Sequence, residues 1–283
     1  MKIDIKLMIA KIFAYIWLTI LTVVVLFPFF GMLTGSFKTQ KELAANPISF
    51  PQAFTLDNYK LALFGTDFLE KFLFSVFLTV VSLAICLVVG SLAAYTITKL
   101  DLKIGKIRIN NFLYILFIIG MLVPLFITVT PLMMAVNKFG LVGSVSVVVL
   151  IYAGTGQAFT IFILSGFIKG IPNEILDSAK IDGCSNFMSF IKIILPLLKG
   201  ALGAISIILI LRVWNDILIP LVFLQGTGWQ TLTQATYLFQ NRYGTNMPGT
   251  YAFVALQVIP VLIIYLLLQR FFIKGILAGA IKG

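Results

Sequence analysis

Histidine is absent from this 283-residue chain, and cysteine occurs only at Cys86 and Cys184. Without histidine the commonest general base and the commonest metal ligand are both missing, so serine–histidine and zinc mechanisms are excluded. Two cysteines at this spacing make neither a disulfide framework nor a metal site. Charge is scarce as well. Only 11% of the residues are charged, against roughly 25% in a soluble domain. Nowhere does a Gly-x-x-x-x-Gly-Lys-Ser/Thr phosphate loop occur. The stretch Gly154-Thr155-Gly156-Gln157 is glycine-rich, but it lacks the lysine, follows no strand and sits in an apolar run. It reads as a helix-packing or pore-lining stretch.

What the chain has in excess is apolar surface: 60% of its residues are hydrophobic and 26 are phenylalanine. No soluble fold of this length hides that much, so the solvent is lipid. The formal charge of +11 would suit nucleic acid if it were clustered. Instead the cations sit in short stretches between long apolar runs, which is the membrane pattern. A spanning helix needs about 20 mostly apolar residues, and six runs qualify: 12–33, 68–97, 109–134, 143–168, 200–224 and 251–273. The first is read as a retained span, since Leu26-Phe27-Pro28-Phe29-Phe30 stands where a signal-peptide cleavage site would have to be. The expected fold is all-α and integral to the membrane, a single transmembrane domain over 1–283.

Orientation follows from the basic residues. The N-terminus, the 99–108 loop, the 169–199 segment and the C-terminal tail together carry fourteen Lys and Arg; the other side carries six, counting Lys71 at the start of the second run. Both termini are therefore expected in the cytoplasm. The external loops are then 34–67, 137–141 and 225–250.

The 171–199 segment is long and polar at its start. Pro172 suits a first helical position, and Glu174 and Asp177 sit where acids favour the helix dipole. Ile175, Leu176 and Ala179 form an apolar stripe at helical spacing. Gly183 ends the short helix, and Ser185 can cap a second one running toward Pro196. Two short helices joined at a glycine bend are expected along the inner face.

This segment resembles the EAA loop of binding-protein-dependent ABC importer permeases. That pattern is an acidic–Ala–Ala triplet, three residues, Gly, nine residues, then Ile-x-Leu-Pro. Asp177, Ser178 and Ala179 stand at the triplet, Gly183 at the glycine, and Ile193, Leu195 and Pro196 at the close, with every spacing kept. Asp replaces the usual Glu and Ser the first Ala. Other stretches resemble the sugar-importing, maltose-permease-like branch: Gly35-Ser36-Phe37-Lys38 with Pro51, Thr55, Leu56, Asn58 and Tyr59; Trp214-Asn215-Asp216 with Pro220-Leu221; and the tail from Gln269 to Gly283.

The resemblance implies a type I ABC importer permease fold with six transmembrane helices and a cytoplasmic coupling-helix loop over 171–199. It implies a permease subunit, not an enzyme, that passes a di- or oligosaccharide through a bacterial cytoplasmic membrane. The partners it implies are a second, homologous permease subunit, two cytoplasmic ATPase subunits and an extracytoplasmic solute-binding protein. ATP and Mg belong to the ATPases; no cofactor or metal is expected on this chain. Glu174, Asp177, Ser178, Ala179, Asp182 and Gly183 are the expected ATPase-coupling residues. Lys274 and Lys282 either reach the ATPases or only enforce topology.

Polar residues within spans are costly and default to functional candidates. Gln157, Trp214, Asn215, Asp216 and Gln257 are the candidate translocation path: amides offer donor and acceptor to sugar hydroxyls, and an indole can stack on a sugar's apolar face. Arg212 and Asp216, four apart, are expected to pair. Trp229, Tyr237, Phe239, Arg242 and Tyr243 are candidate anchors for the binding protein. A secondary transporter would show internal repeats and intramembrane acids; no repeat is visible, and Asp216 is the one mid-span acid in the chain.

Overall fold

A computed structural model describes residues 5–243 and 246–280, with side chains over 8–237, 239, 246–267 and 269. Its helices are, in order, α1 (Ile5–Ser36), α2 (Gln40–Ala45), α3 (Asp57–Phe64), α4 (Phe68–Lys99), α5 (Asn110–Leu122), α6 (Leu125–Lys138), α7 (Val145–Lys169), α8 (Asn173–Ile181) and α9 (Asn186–Ser189). A π turn (Phe190–Ile194) leads to α10 (Leu195–Leu197), α11 (Lys199–Trp214), α12 (Leu218–Phe223), α13 (Leu232–Tyr243) and α14 (Met247–Ala280). A two-stranded hairpin, β1 (Lys103–Ile104) and β2 (Ile107–Arg108), joins α4 to α5, turning at Gly105 with φ +61°.

Among the described residues four helices are long and apolar enough to cross a membrane: α1, α4, α7 and α14. The count reaches the expected six if each of two bent helix pairs is taken as one span. The run expected as one helix over 109–134 breaks at Val123-Pro124, and α5 meets α6 at 101°. The cause is local. Proline disfavours helix at the residue before it, and Val123 is extended with φ −82° and ψ 113°. The run expected over 200–224 ends early, at Trp214, with α12 beginning only at Leu218. Before it, the Asn186–Leu197 stretch meets α11 at 74°. Pro196 has no N–H and its ring crowds the carbonyl one turn back; the preceding turn widens, and the Leu195 N–H reaches the Phe190 carbonyl.

Contacts divide the chain into two compact units: residues up to 69 with 235–259, and 70–234 with the remainder. In the first, α1 is apolar and exposed from Met8 to Phe29, a surface suited to lipid or to another subunit. Beyond it the chain is clasped. The Lys38 ammonium, with 0% exposure, donates to the carbonyl of Asn46 (2.8 Å) and to Ser49 Oγ (3.2 Å). Asn58 Nδ2 donates to the carbonyls of Ser36 and Lys38, Ser36 Oγ pairs with the Tyr59 hydroxyl, and Phe37 stacks on Phe54 at 4.4 Å. A side chain at Gly35 would collide with the Tyr251 ring, 2.7 Å from its Cβ. The resemblance around Gly-Ser-Phe-Lys and Asn-Tyr is thus a structural clasp.

In the larger unit, α4 and α7 cross closely. Small residues permit this: a Cβ on Gly90 would lie 2.6 Å from Thr160 Cγ2, and one on Gly156 2.7 Å from Cys86 Sγ. The helix-packing reading of 154–157 holds at Gly156. Two apolar clusters build on that crossing, one around Tyr95, Leu164, Phe190 and Ile205, the other around Phe74, Tyr152, Val213 and Phe223.

Candidate functional site

The 171–199 segment folds as two short helices joined at a glycine. Pro172, expected at the first helical position, falls one residue earlier, extended at φ −56° and ψ 139°. The end of α8 is a Schellman-type turn: Gly183 takes φ +82°, and the Cys184 N–H reaches back to the Ala179 carbonyl at 2.9 Å. Ser185 Oγ accepts from the Met188 N–H at 3.2 Å and caps α9. Ser178 Oγ donates to the Glu174 carbonyl, and Lys180 pairs with Asp177 at 3.3 Å.

Burial sorts the expected coupling residues. Glu174, Asp177, Ser178, Asp182 and Gly183 are exposed, whereas Ala179 is buried. The small size of Ala179 therefore serves the seating of α8 on its own bundle, beside Leu176. The third member of the expected stripe, Ile175, points outward instead. It belongs to an exposed apolar set that composition alone did not separate: Ile175, Ile181 (87% exposed), Phe187 and Met188. A period count over nine residues cannot tell an inward stripe from an outward one when both flank the same turn.

The candidate path residues do not converge. Trp214 is buried at 3% exposure, edge-on to Phe72, with its indole N–H unpartnered. Its faces are covered, so it is not placed to stack on a solute. Asn215 is exposed, but its Nδ2 donates to the Leu211 carbonyl and closes α11. Gln157 Nε2 reaches the Cys86 carbonyl at 3.5 Å while its Oε1 is unpartnered. Gln257 lies in the smaller unit and accepts from Thr236 Oγ1 at 2.7 Å.

The expected Arg212–Asp216 pair does not form among the described residues. Because α11 stops at Trp214, Asp216 is no longer on the same helix. It accepts from the Tyr152 hydroxyl (2.8 Å) and from the N–H groups of Leu218 and Ile219, capping α12. Arg212 donates instead to the Thr155 carbonyl at 2.9 Å. Its side chain lines a cavity of about 350 Å³ with Gly120, Val123, Thr128, Thr155 and Phe159, at the α5–α6 break. Sequence reasoning missed this cavity, although Gly120 and Val123-Pro124 were the readable signal for the break.

Of the candidate anchors in 225–250, Trp229 stacks on Phe74 at 4.9 Å and Tyr237 is exposed. Phe239 is buried against Phe253 and belongs to the core of the smaller unit. The side chains of Arg242, Tyr243 and Lys274, and all of Lys282, lie outside the described residues.

Membrane-length helices, a broken helix pair bordering a largely apolar cavity that holds one guanidinium, and a short helix pair with an exposed apolar tip define a multi-pass transport component. The chain belongs to the family described as binding-protein-dependent transport system inner membrane component, whose pattern matches residues 104–277. It is 36% identical, over 95% of this chain and 96% of the other, to a Caldicellulosiruptor protein named as an ABC transporter permease. It is 34% identical, over 90% and 91%, to a Thermoanaerobacterium thermosulfurigenes permease named for a starch degradation products transport system. A solved bacterial ABC transporter involved in import of the acidic polysaccharide alginate matches with TM-score 0.79 at 20% identity, covering 93% of this chain and 96% of that one. At that identity the match speaks to the fold, which is shared.

Proposed function

We propose that this chain is a permease subunit of an ATP-driven importer and that its cargo is a di- or oligosaccharide. The observation that carries the coupling half of the reading is the tip of the 171–199 segment. Ile181 and Phe187 stand exposed on either side of a glycine bend, on a segment that also exposes Glu174, Asp177 and Asp182. Exposed apolar residues among polar ones at an aqueous edge suit a cleft on a soluble partner, and the resemblance assigns that partner as an ATPase subunit. Lys274 and Lys282 are kept as candidate contacts to it. ATP and Mg are then handled by the ATPases, and this chain performs no chemistry of its own.

The cargo half rests on the name of the starch-product relative and on the cavity at the α5–α6 break. The Arg212 guanidinium presents donors to a polyol's oxygens, and the Thr128 and Thr155 hydroxyls, which donate to the Leu125 and Ile151 carbonyls of their own helices, present acceptors to its hydroxyls. A second, different permease subunit would close the path, and the binding protein would dock on the 34–67 and 225–250 loops. The excess of Lys and Arg on one side of the spans supports a cytoplasmic position for both termini.

The test is a cysteine at position 178 in a Cys184→Ser background, with the complex isolated from its native membrane. Cross-linking of that thiol to an ATPase subunit, with ATP- and binding-protein-dependent uptake of a labelled maltooligosaccharide in proteoliposomes, is the expected result. A chain recovered folded but alone, with no cross-link, would sink the reading.

A further inference from the structure

One side chain fastens the end of α4 to the start of α8. Lys99 is the last residue of α4, and its Nζ donates to the Ile171 carbonyl at 2.6 Å and to Asn173 Oδ1 at 2.7 Å. Both acceptors lie at the junction where α7 gives way to α8. Glu174, on the first turn of α8, adds an attractive charge.

The same end of the bundle is tied in three more places. Asn110 Nδ2 donates to the carbonyls of Ile97 and Leu100, joining the start of α5 to the end of α4. The Lys169 ammonium sits 4.4 Å over the Tyr114 ring, joining α7 to α5. Tyr95 of α4 packs against Phe190 of the π turn, ring centroids 5.5 Å apart. By chain connectivity α8 pulls on α7 and, through α9 and α10, on α11. Without Lys99, α4 would meet the front of α8 through no polar contact among the described residues.

We propose that Lys99 is a positioning residue for coupling: it makes α4 move with α8, so that a displacement of α8 enters the bundle through α4 as well as through α7 and α11. The geometry suits the task. At the aqueous edge a carbonyl and an amide oxygen held by one ammonium give direction and fixed length, which greasy contact does not. From Lys99, α4 runs 32 residues, about 48 Å at helical rise. It is locked to α7 midway by the Gly90–Thr160 and Gly156–Cys86 approaches. A push at one end is thereby delivered along the whole of a packed helix pair.

The proposal rests on the coupling reading above, and its test separates the two. The reconstituted complex, with ATPases, partner permease and binding protein, is assayed for solute moved per ATP hydrolysed. Lys99→Met is expected to lower that ratio by roughly three-fold or more, the scale of coupling a single side chain carries, with the complex still assembling and its melting temperature lowered by no more than the few degrees that two lost hydrogen bonds account for. Lys99→Arg, which keeps the charge and donors, is expected to restore most of it. Asn173→Ala removes one acceptor and should lose less, and added to Lys99→Met it should cost little further. An unchanged ratio in Lys99→Met, or a loss that Arg does not rescue, overturns the proposal. Should Lys99→Met fail to assemble, an unchanged ratio in Asn173→Ala overturns it equally. If the thiol at 178 still cross-links to the ATPase while the ratio is unmoved, only the latch is refuted; if the cross-link itself is absent, the coupling reading goes with it.

Discussion

Replacing Asn110 by leucine should open the α4–α5 connection, and the size of the effect can be worked from its contacts. The last carbonyls of a helix have no partner within it. Asn110 supplies one: Nδ2 donates to the Ile97 carbonyl at 2.6 Å and to the Leu100 carbonyl at 2.7 Å, while Oδ1 accepts from the Leu102 N–H at 3.1 Å. The side chain is only 5% exposed, so water does not simply replace it. Leucine fills a similar volume and leaves three backbone groups unmatched. At about 1 kcal/mol for each lost bond, somewhat more where the group stays dry, the cost is roughly 2–5 kcal/mol. For a chain of this size that is a fall in Tm of roughly 3–9 °C. Aspartate, the same shape, should be no better at neutral pH, because it turns a carboxylate oxygen toward two carbonyls. Cys86 is 2% exposed and becomes reactive when the α4–α7 packing opens. In a Cys184→Ser background a thiol-reactive fluorophore therefore reads the transition. A leucine variant melting within about 1 °C of the parent, less than one lost hydrogen bond should shift it, would refute the capping argument.

Gly90→Val should strain the α4–α7 crossing, since its Cβ would sit 2.6 Å from Thr160 Cγ2; a loss of about 1–3 kcal/mol is expected in the same thiol assay, and Thr160→Ala should recover part of it. Gly183→Val forces a β-branched residue to φ +82°; it should weaken ATPase co-purification while leaving the melting of the bundle nearly unchanged. Lys38→Met leaves the Asn46 and Ser49 acceptors short of a donor, so protease cutting within 39–56 should accelerate several-fold. Asp101 is held below the usual carboxylate range by a hydrogen bond from Lys103 and by the charges of Lys103 and Arg108. Its folded pKa being depressed, what it gives the hairpin is present above about pH 4 and lost as pH falls further; Asp101→Asn should remove that acid sensitivity.

Spans were legible because lipid demands about 20 apolar residues in a row, and α4, α7 and α14 appear where the runs predicted them. The coupling segment was legible for a different reason: Gly183 and Ser185 are conformational signals, a positive φ and a cap, that act locally whatever surrounds them. Hydropathy averages over a window, so it could not see that Val123-Pro124 breaks one run and that Trp214 ends another. Nor can a period decide direction. Ile175 and Ala179 share the helix that was predicted, yet one faces out and the other in, because Leu176 joins an apolar cluster built by α4, α7, the π turn and α11, which the pattern within α8 does not display.

The Trp-Asn-Asp stretch shows what such a break accomplishes. Read as a linear motif, it offered an indole, an amide and a carboxylate as groups for a solute. In the fold each is spent on architecture. Trp214 is buried, Asn215 turns back on Leu211 to close α11, and Asp216 accepts from Tyr152 and caps α12. Interrupted backbone at membrane depth is tolerated only where protein buries it or where it borders a wet cavity. Both interruptions lie near the same cavity: Val123 lines it at one, and Arg212, three residues before the other, lines it too. Had α11 continued through Asp216, the four-residue spacing would have neutralised Arg212 along the helix. Ending the helix withdraws that carboxylate, and the guanidinium is left with the Thr155 carbonyl and donors to spare for whatever occupies the cavity.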